Sequence, residues 1–148
     1  MVSPAPIPDG LPLLNPRDIT GCFVCGLDNP DGLRLRIYGD GEAALAAYAP
    51  RPTDAGWPEV MHGGLVGLLV DELLVYAGAV HGLWAVTARV GYRLRRPIPL
   101  GAALRLEGRM TQRSGRGYRA QVTLHLPDGT LAADGEGTCV LRDAHRPG

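Results

Sequence analysis

The hydrophobic period changes several times along the chain, and the changes mark out its elements. Residues 1–21 contain five prolines and no period, which predicts an arm or tail laid over the body. Asn29-Pro30-Asp31-Gly32 is a turn signal, and Leu33-Arg34-Leu35-Arg36-Ile37-Tyr38 alternates at period two, as a strand does. Gly39-Asp40-Gly41 turns the chain again, and Glu42–Tyr48 returns as the second arm of a hairpin. Residues 50–59 form a loop holding three prolines, Gly56 and Trp57. One long helix follows, from Gly63 to about Ala79, apolar around almost its full circumference, so protein must cover it on most sides.

Beyond the helix the pattern returns to strands. Trp84–Arg95 alternates and stops at Arg96-Pro97-Ile98-Pro99, and Ala103–Gln112 leads into the polar loop Arg113-Ser114-Gly115-Arg116-Gly117. Tyr118–Leu126 turns at Pro127-Asp128-Gly129, and Thr130–Leu141 closes the series. Two strands, a buried helix and four antiparallel strands predict an α+β domain over residues 22–148, a curved antiparallel sheet of about six strands wrapped around one central helix.

Composition narrows the function classes. The formal net charge is zero, so there is no bulk attraction to nucleic acid or to an anionic membrane. No apolar run approaches the length of a membrane span, and the first residues lack the layout of a secretory signal; the expectation is a cytoplasmic protein. All fifteen basic residues are arginine, which excludes a lysine Schiff base and makes arginine a weak functional signal by itself. Cys22-Phe23-Val24-Cys25 has the spacing of a redox pair or half a zinc site, but the third cysteine, Cys139, is far away. The pair is read as two small thiols packed near a turn, and no metal or cofactor is expected.

The chemistry concentrates at the helix. His62-Gly63-Gly64 opens it, placing free backbone N–H groups at a positively polarised end that an oxyanion can approach closely. Asp71 and Glu72 interrupt the apolar run, where an ionised carboxylate is costly without compensation. Glu72, about 100° further round, is expected at an edge with a salt bridge or solvent.

The sequence resembles the hot-dog fold thioesterases, specifically the phenylacetate-degradation type, over about Cys22 to Leu141. The resemblance rests on His62-Gly63-Gly64 with an acid nine residues after the histidine, and on Tyr92-Arg93-Leu94-Arg95-Arg96-Pro97. Cys22-Phe23-Val24-Cys25-Gly26, Asn29-Pro30 and Gly32-Leu33 are also similar to the family's N-terminal segment. It implies hydrolysis of an acyl-CoA or acyl-carrier thioester. The backbone N–H near Gly63 or Gly64 would hold the thioester carbonyl, His62 would shape the entrance, and Asp71 would act as nucleophile or general base. Thr87, ten residues before Pro97, stands where relatives carry a hydroxyl that positions water. Several relatives have Asn or Gln six residues before the histidine; here that position is Gly56, with Thr53 or Asp54 as candidate replacements.

Geometry adds a constraint. Asp71 lies seven residues after Gly64, on nearly the same helix face but about 10.5 Å further along. A carbonyl held at the helix start cannot also touch that acid. The two meet only if a second copy of the helix runs antiparallel alongside, which implies a homodimer, or a dimer of dimers, with composite sites. Arg113 and Arg116, with Arg119, suit the phosphates of CoA or equally a solvated hairpin tip, and Arg93, Arg95 and Arg96 are similar candidates. Trp57 and Trp84 are candidates to line an acyl pocket or simply to pack. His81, His125 and His145 have no partners at catalytic spacing. Two other functions compete with the thioesterase: a non-catalytic acyl-CoA-binding hot-dog protein, and a hot-dog hydratase or dehydratase.

Overall fold

The computed structural model describes residues 6–142. Six strands form one antiparallel sheet: β1 (Ile37–Gly39), β2 (Ala43–Tyr48), β3 (Ala85–Leu94), β4 (Leu104–Ser114), β5 (Gly117–His125) and β6 (Leu131–Leu141). Their spatial order is β1-β2-β4-β5-β6-β3, so β3 is an edge strand with β6 as its only ladder partner. The single α-helix, α1 (Gly63–Ala79), packs on the concave face and touches every strand from β2 to β6. This is the α+β arrangement that the order of periods predicts.

The alternation of each strand explains which face meets the helix. In β4, Leu104, Leu106 and Gly108 point inward; in β5, Tyr118, Ala120, Val122 and Leu124 do so. They meet Val66, Leu69, Val70, Leu73, Leu74 and Ala77 of α1 in one continuous core. Tyr118 ties the layers together, its buried hydroxyl 2.9 Å from the Leu74 carbonyl and 3.0 Å from that of Val75, near the end of the helix. The helix is not wrapped all round, however. Leu65, Leu68, Asp71, Glu72 and Val75 are only partly covered, and they recur at helical spacing, so one stripe faces away from the sheet.

Two elements differ from the sequence pattern. Leu33–Arg36 alternates in burial but lies outside the sheet: Arg34 sits at φ 49°, and Leu33 and Leu35 donate to the Phe23 and Val24 carbonyls instead of to a strand. Only Ile37–Gly39 joins the ladder. The expected polar loop at 113–117 is a tight hairpin, with Ser114 still paired to Gly117.

The N-terminal arm is pinned from residue 12 onward. Pro12 and Leu14 exchange backbone hydrogen bonds with Gly39 and Ile37. Buried Asn15 donates to the Cys25 and Leu35 carbonyls at 2.9 and 2.8 Å and accepts from the Ile37 N–H at 2.8 Å. One side chain thereby satisfies three backbone groups that no regular element serves. Replacing it with alanine strands those groups, so Asn15→Ala should lower the unfolding free energy by about 3 kcal/mol, read from urea denaturation. A change within experimental error would mean that the arm contributes nothing to the fold.

Candidate active site

The helix entrance is built by a locked loop. Asp54 ends a 3-10 turn (Pro52–Asp54), is 2% exposed, and receives the Arg51 guanidinium at 2.8 Å and the Arg51 N–H at 2.8 Å. The Tyr48 hydroxyl of β2 donates to the same carboxylate. Burial alone would push this carboxyl up; Arg51 and Tyr48 outweigh it, and Asp54 is held below the usual carboxylate value. The same residue's backbone carbonyl accepts from the His62 N–H at 2.8 Å, so the ion pair fixes where the helix begins. Asp54 is therefore committed to structure and is not free to replace the amide of the relatives.

His62 is the N-cap of α1. Its Nδ1 accepts from the Gly64 N–H at 2.9 Å, and its carbonyl accepts from Leu65 and Val66. One donor is therefore left at the helix mouth: the Gly64 N–H is taken by His62, while the Gly63 N–H has no partner among the described residues. Gly63 also lies under Leu94, whose Cδ1 would be 2.8 Å from an added Cβ. At Gly56 an added Cβ would stand 3.0 Å from the His62 Cα and 3.3 Å from its Cβ, so the histidine itself occupies the room beside that position.

A cleft of about 410 Å³ opens at this entrance, lined by Trp57, Met61, Gly63, Val66, Leu94 and Arg95 among others. Trp57 is 82% exposed, and Arg95 pairs with Asp134 at 2.8 Å. Arg93 is exposed on the neighbouring stretch of β3, on the far side of Leu94. Arg113 bends back on its own hairpin, donating to the Ser114 carbonyl and to that of Gly117 at 2.8 Å, and Arg116 is exposed at the tip. That tip pairs with the end of β6 that also carries Cys139 and lies opposite Thr87. It is thus at the C-terminal end of α1, remote from the same protomer's Gly63.

Asp71 occupies the partly covered stripe and makes no hydrogen bond or ion pair among the described residues, so neither Arg89 nor Arg93 neutralises it. The Thr87 hydroxyl is buried, with the Cys139 thiol as its polar neighbour. Both groups border Cys139, whose thiol feels the charge of the one and the hydroxyl of the other. An unpaired carboxylate near a buried hydroxyl is a place for water or a reacting group. His81 is exposed in the turn after α1, His125 is half-buried at the end of β5, and His145 lies outside the described residues.

Glu72 departs from expectation. It has no salt bridge; its carboxylate is 3.9 Å from the Cys22 thiol and beside Cys25 and Tyr76. Burial raises its pKa, while a hydrogen bond from Cys25 lowers that of the Cys22 thiol. Nothing in the sequence spacing joins residues 22 and 25 to 72; only the fold does.

This architecture is the hot-dog fold. Neither a family model nor a curated protein sequence matches the chain. Among solved structures, a thioesterase-superfamily protein superposes with TM-score 0.76 at 28% identity, over 82% of this chain and 60% of that one. The Escherichia coli PaaI protein of the phenylacetic acid degradation operon superposes with TM-score 0.68 at 19% identity, over 73% of this chain and 83% of that one. A hypothetical thioesterase of Streptococcus pneumoniae, solved with coenzyme A, gives TM-score 0.62 at 16% identity, over 68% and 81%. The chain thus spans only 60% of the length of the first of these neighbours. The chain thus shares the hot-dog fold with structures of the thioesterase superfamily.

The Asp54 lock has an acid signature. A carboxyl held below its unfolded value of 3.8 contributes its full stability above that pH and loses it as pH falls through the native value. Asp54→Ala should cost about 3 kcal/mol at neutral pH, the low end for a buried pair because Arg51 keeps contact with water. It should also flatten the wild type's loss of stability below pH 3.8, measured by denaturant titration across pH. An unchanged acid profile would dismiss Asp54 as the source.

Proposed function

We propose that this protein is a thioesterase that hydrolyses an acyl-CoA thioester at sites shared by two protomers. The observation that carries the reading is the unpaired Asp71 on the uncovered stripe of α1, beside an edge strand with no second neighbour. β3 is ten residues long and exposes Val86, Val90, Tyr92 and Leu94. Such an edge is a template for another strand, and a second copy running antiparallel supplies one. The same twofold pairing sets the two α1 stripes against each other, bringing one Asp71 toward the other protomer's Gly63.

In that arrangement the Gly63 N–H, backed by the helix dipole, polarises the thioester carbonyl. Asp71 of the opposite protomer attacks it directly or activates a water, and the Thr87 hydroxyl orients the attacking group. His62 acts by holding Gly64 and hence the first turn. Arg113 and Arg116, distant from Gly63 within one protomer, approach the partner's entrance and are placed for the phosphates of CoA; Trp57 and Arg95 rim the entrance cleft, with Arg93 exposed beyond Leu94. Support comes also from the pneumococcal thioesterase, which has been solved with alanine replacing an aspartate and, separately, a threonine sixteen residues further on. Thr87 follows Asp71 at that same interval here. The unpaired acid weighs against a pure acyl-CoA binder, which has no use for a half-buried carboxylate.

Thiol release from short-, medium-, long-chain and aryl acyl-CoAs tests the reaction. Asp71→Asn should lower kcat/KM at least about 100-fold, roughly 2.7 kcal/mol of transition-state stabilisation, with the circular dichroism spectrum unchanged. No thiol release by the wild type on any ester would refute hydrolysis of CoA thioesters. Assembly is tested separately by sedimentation: Val90→Arg, which puts a charge on the exposed edge, should convert a dimer to monomer and abolish turnover together. Full activity in a monomeric variant would sink the composite site.

A further inference from the structure

We propose that Cys22, Cys25 and Glu72 form a binding site for a borderline-soft divalent cation of the zinc class, independent of the thioesterase reading. The ligating atoms of all three residues lie within 4.8 Å of one another. Tetrahedral zinc at usual Zn–S and Zn–O lengths holds a sulfur and an oxygen about 3.6 Å apart. The Cys22 Sγ to Glu72 Oε1 separation of 3.9 Å is within a small side-chain adjustment of that value. Two thiols and a carboxylate are the donor set that favours zinc over the hard cations magnesium and calcium.

The surroundings point to a missing cation by a separate route. Tyr76, 2% exposed, directs its hydroxyl at this cluster, where its polar neighbour is the Cys25 thiol. A buried phenol, two thiols and a carboxylate therefore converge, with Asp71 next along the helix adding negative charge. Arg142 is the cation that lines the adjoining cleft, and it makes no ion pair with Glu72. A bound dication would compensate the carboxylate and thiolates at once. Access exists: the cleft, about 430 Å³, is walled by Ile19, Val75, Tyr76, Trp84 and Val86 and reaches all three ligands. It leaves room for a fourth ligand from solvent, the open coordination of a site with three protein donors.

The geometry is prepared locally. The Cys25 N–H lies 3.4 Å from the Cys22 Sγ, and the Gly26 N–H donates to the Cys22 carbonyl at 2.9 Å, so the turn holds both thiols on one side. Asn15, bonded to the Cys25 carbonyl, clamps that turn to the body.

The test uses the whole chain, reduced, stripped with chelator and shown by thiol titration to carry free cysteines. Zinc chloride is titrated against a chromophoric competitor, and cobalt chloride is followed by absorption. One equivalent of metal should bind, with thiolate-to-cobalt charge-transfer bands and the intense visible bands of a tetrahedral ion. Cys22→Ser and Cys25→Ser should each diminish the charge transfer, and Glu72→Gln should keep it while weakening zinc by about tenfold or more. Cys139→Ser should change neither. Folded, reduced wild type that gives no charge transfer overturns the site, as does zinc affinity unaltered in all three ligand variants.

Discussion

The constraint on which the rest of this structure depends is the burial of α1. Seventeen residues, apolar round most of their circumference, must be removed from water, and one curved sheet reaches only part of a cylinder. The strands from β2 to β6 cover the side carrying Leu69, Leu73 and Leu74; the side carrying Leu65, Leu68 and Val75 is left half-covered. The two acids of the helix sit in that half-covered stripe, where burial already raises the pKa of Glu72. The unpaired edge of β3 borders the same region. Hydrophobic need, a bare edge and the acids thus converge on one face.

Asp71 and Glu72 are adjacent in sequence yet belong to different environments, because one residue turns the helix by about 100°. Asp71, with no partner of its own among the described residues, lies close enough to Cys139 for its charge to act on that thiol. Glu72 faces the turn that carries Cys22 and Cys25. One helix thereby serves two clusters, and a change at either acid alters the field at the other.

Most of the fold was legible from periodicity. The helix bounds Gly63 and Ala79 were readable because a capping histidine and a glycine pair open it and a loop with Gly82 at φ 75° follows it. The succession of strands along the chain was legible because proline and glycine clusters punctuate the turns, but their order in the sheet was not, since β3 pairs with β6 and not with β4, the next strand along the chain. Residues 33–36 misled because alternating burial records which side chains are covered, not which backbone they pair with; the partners lie at 23 and 24, in a segment without a period. At the site, His62 and Asp71 were visible as a motif. That His62 consumes the Gly64 donor was not, since it depends on a rotamer. Nor was Asp54's burial beneath Tyr48, or the meeting of Glu72 with two thiols some fifty positions earlier: contacts across the fold leave no local trace.

Gly56 has a consequence for how this protein can change. The resemblance puts an amide at that position in several relatives, but here the His62 side chain has moved into the space such a group would need. Since His62 is held by the Asp54 carbonyl and holds Gly64 in turn, it cannot step aside alone. A side chain at position 56 therefore asks the His62 backbone and ring to give way together with the loop and cap that hold them.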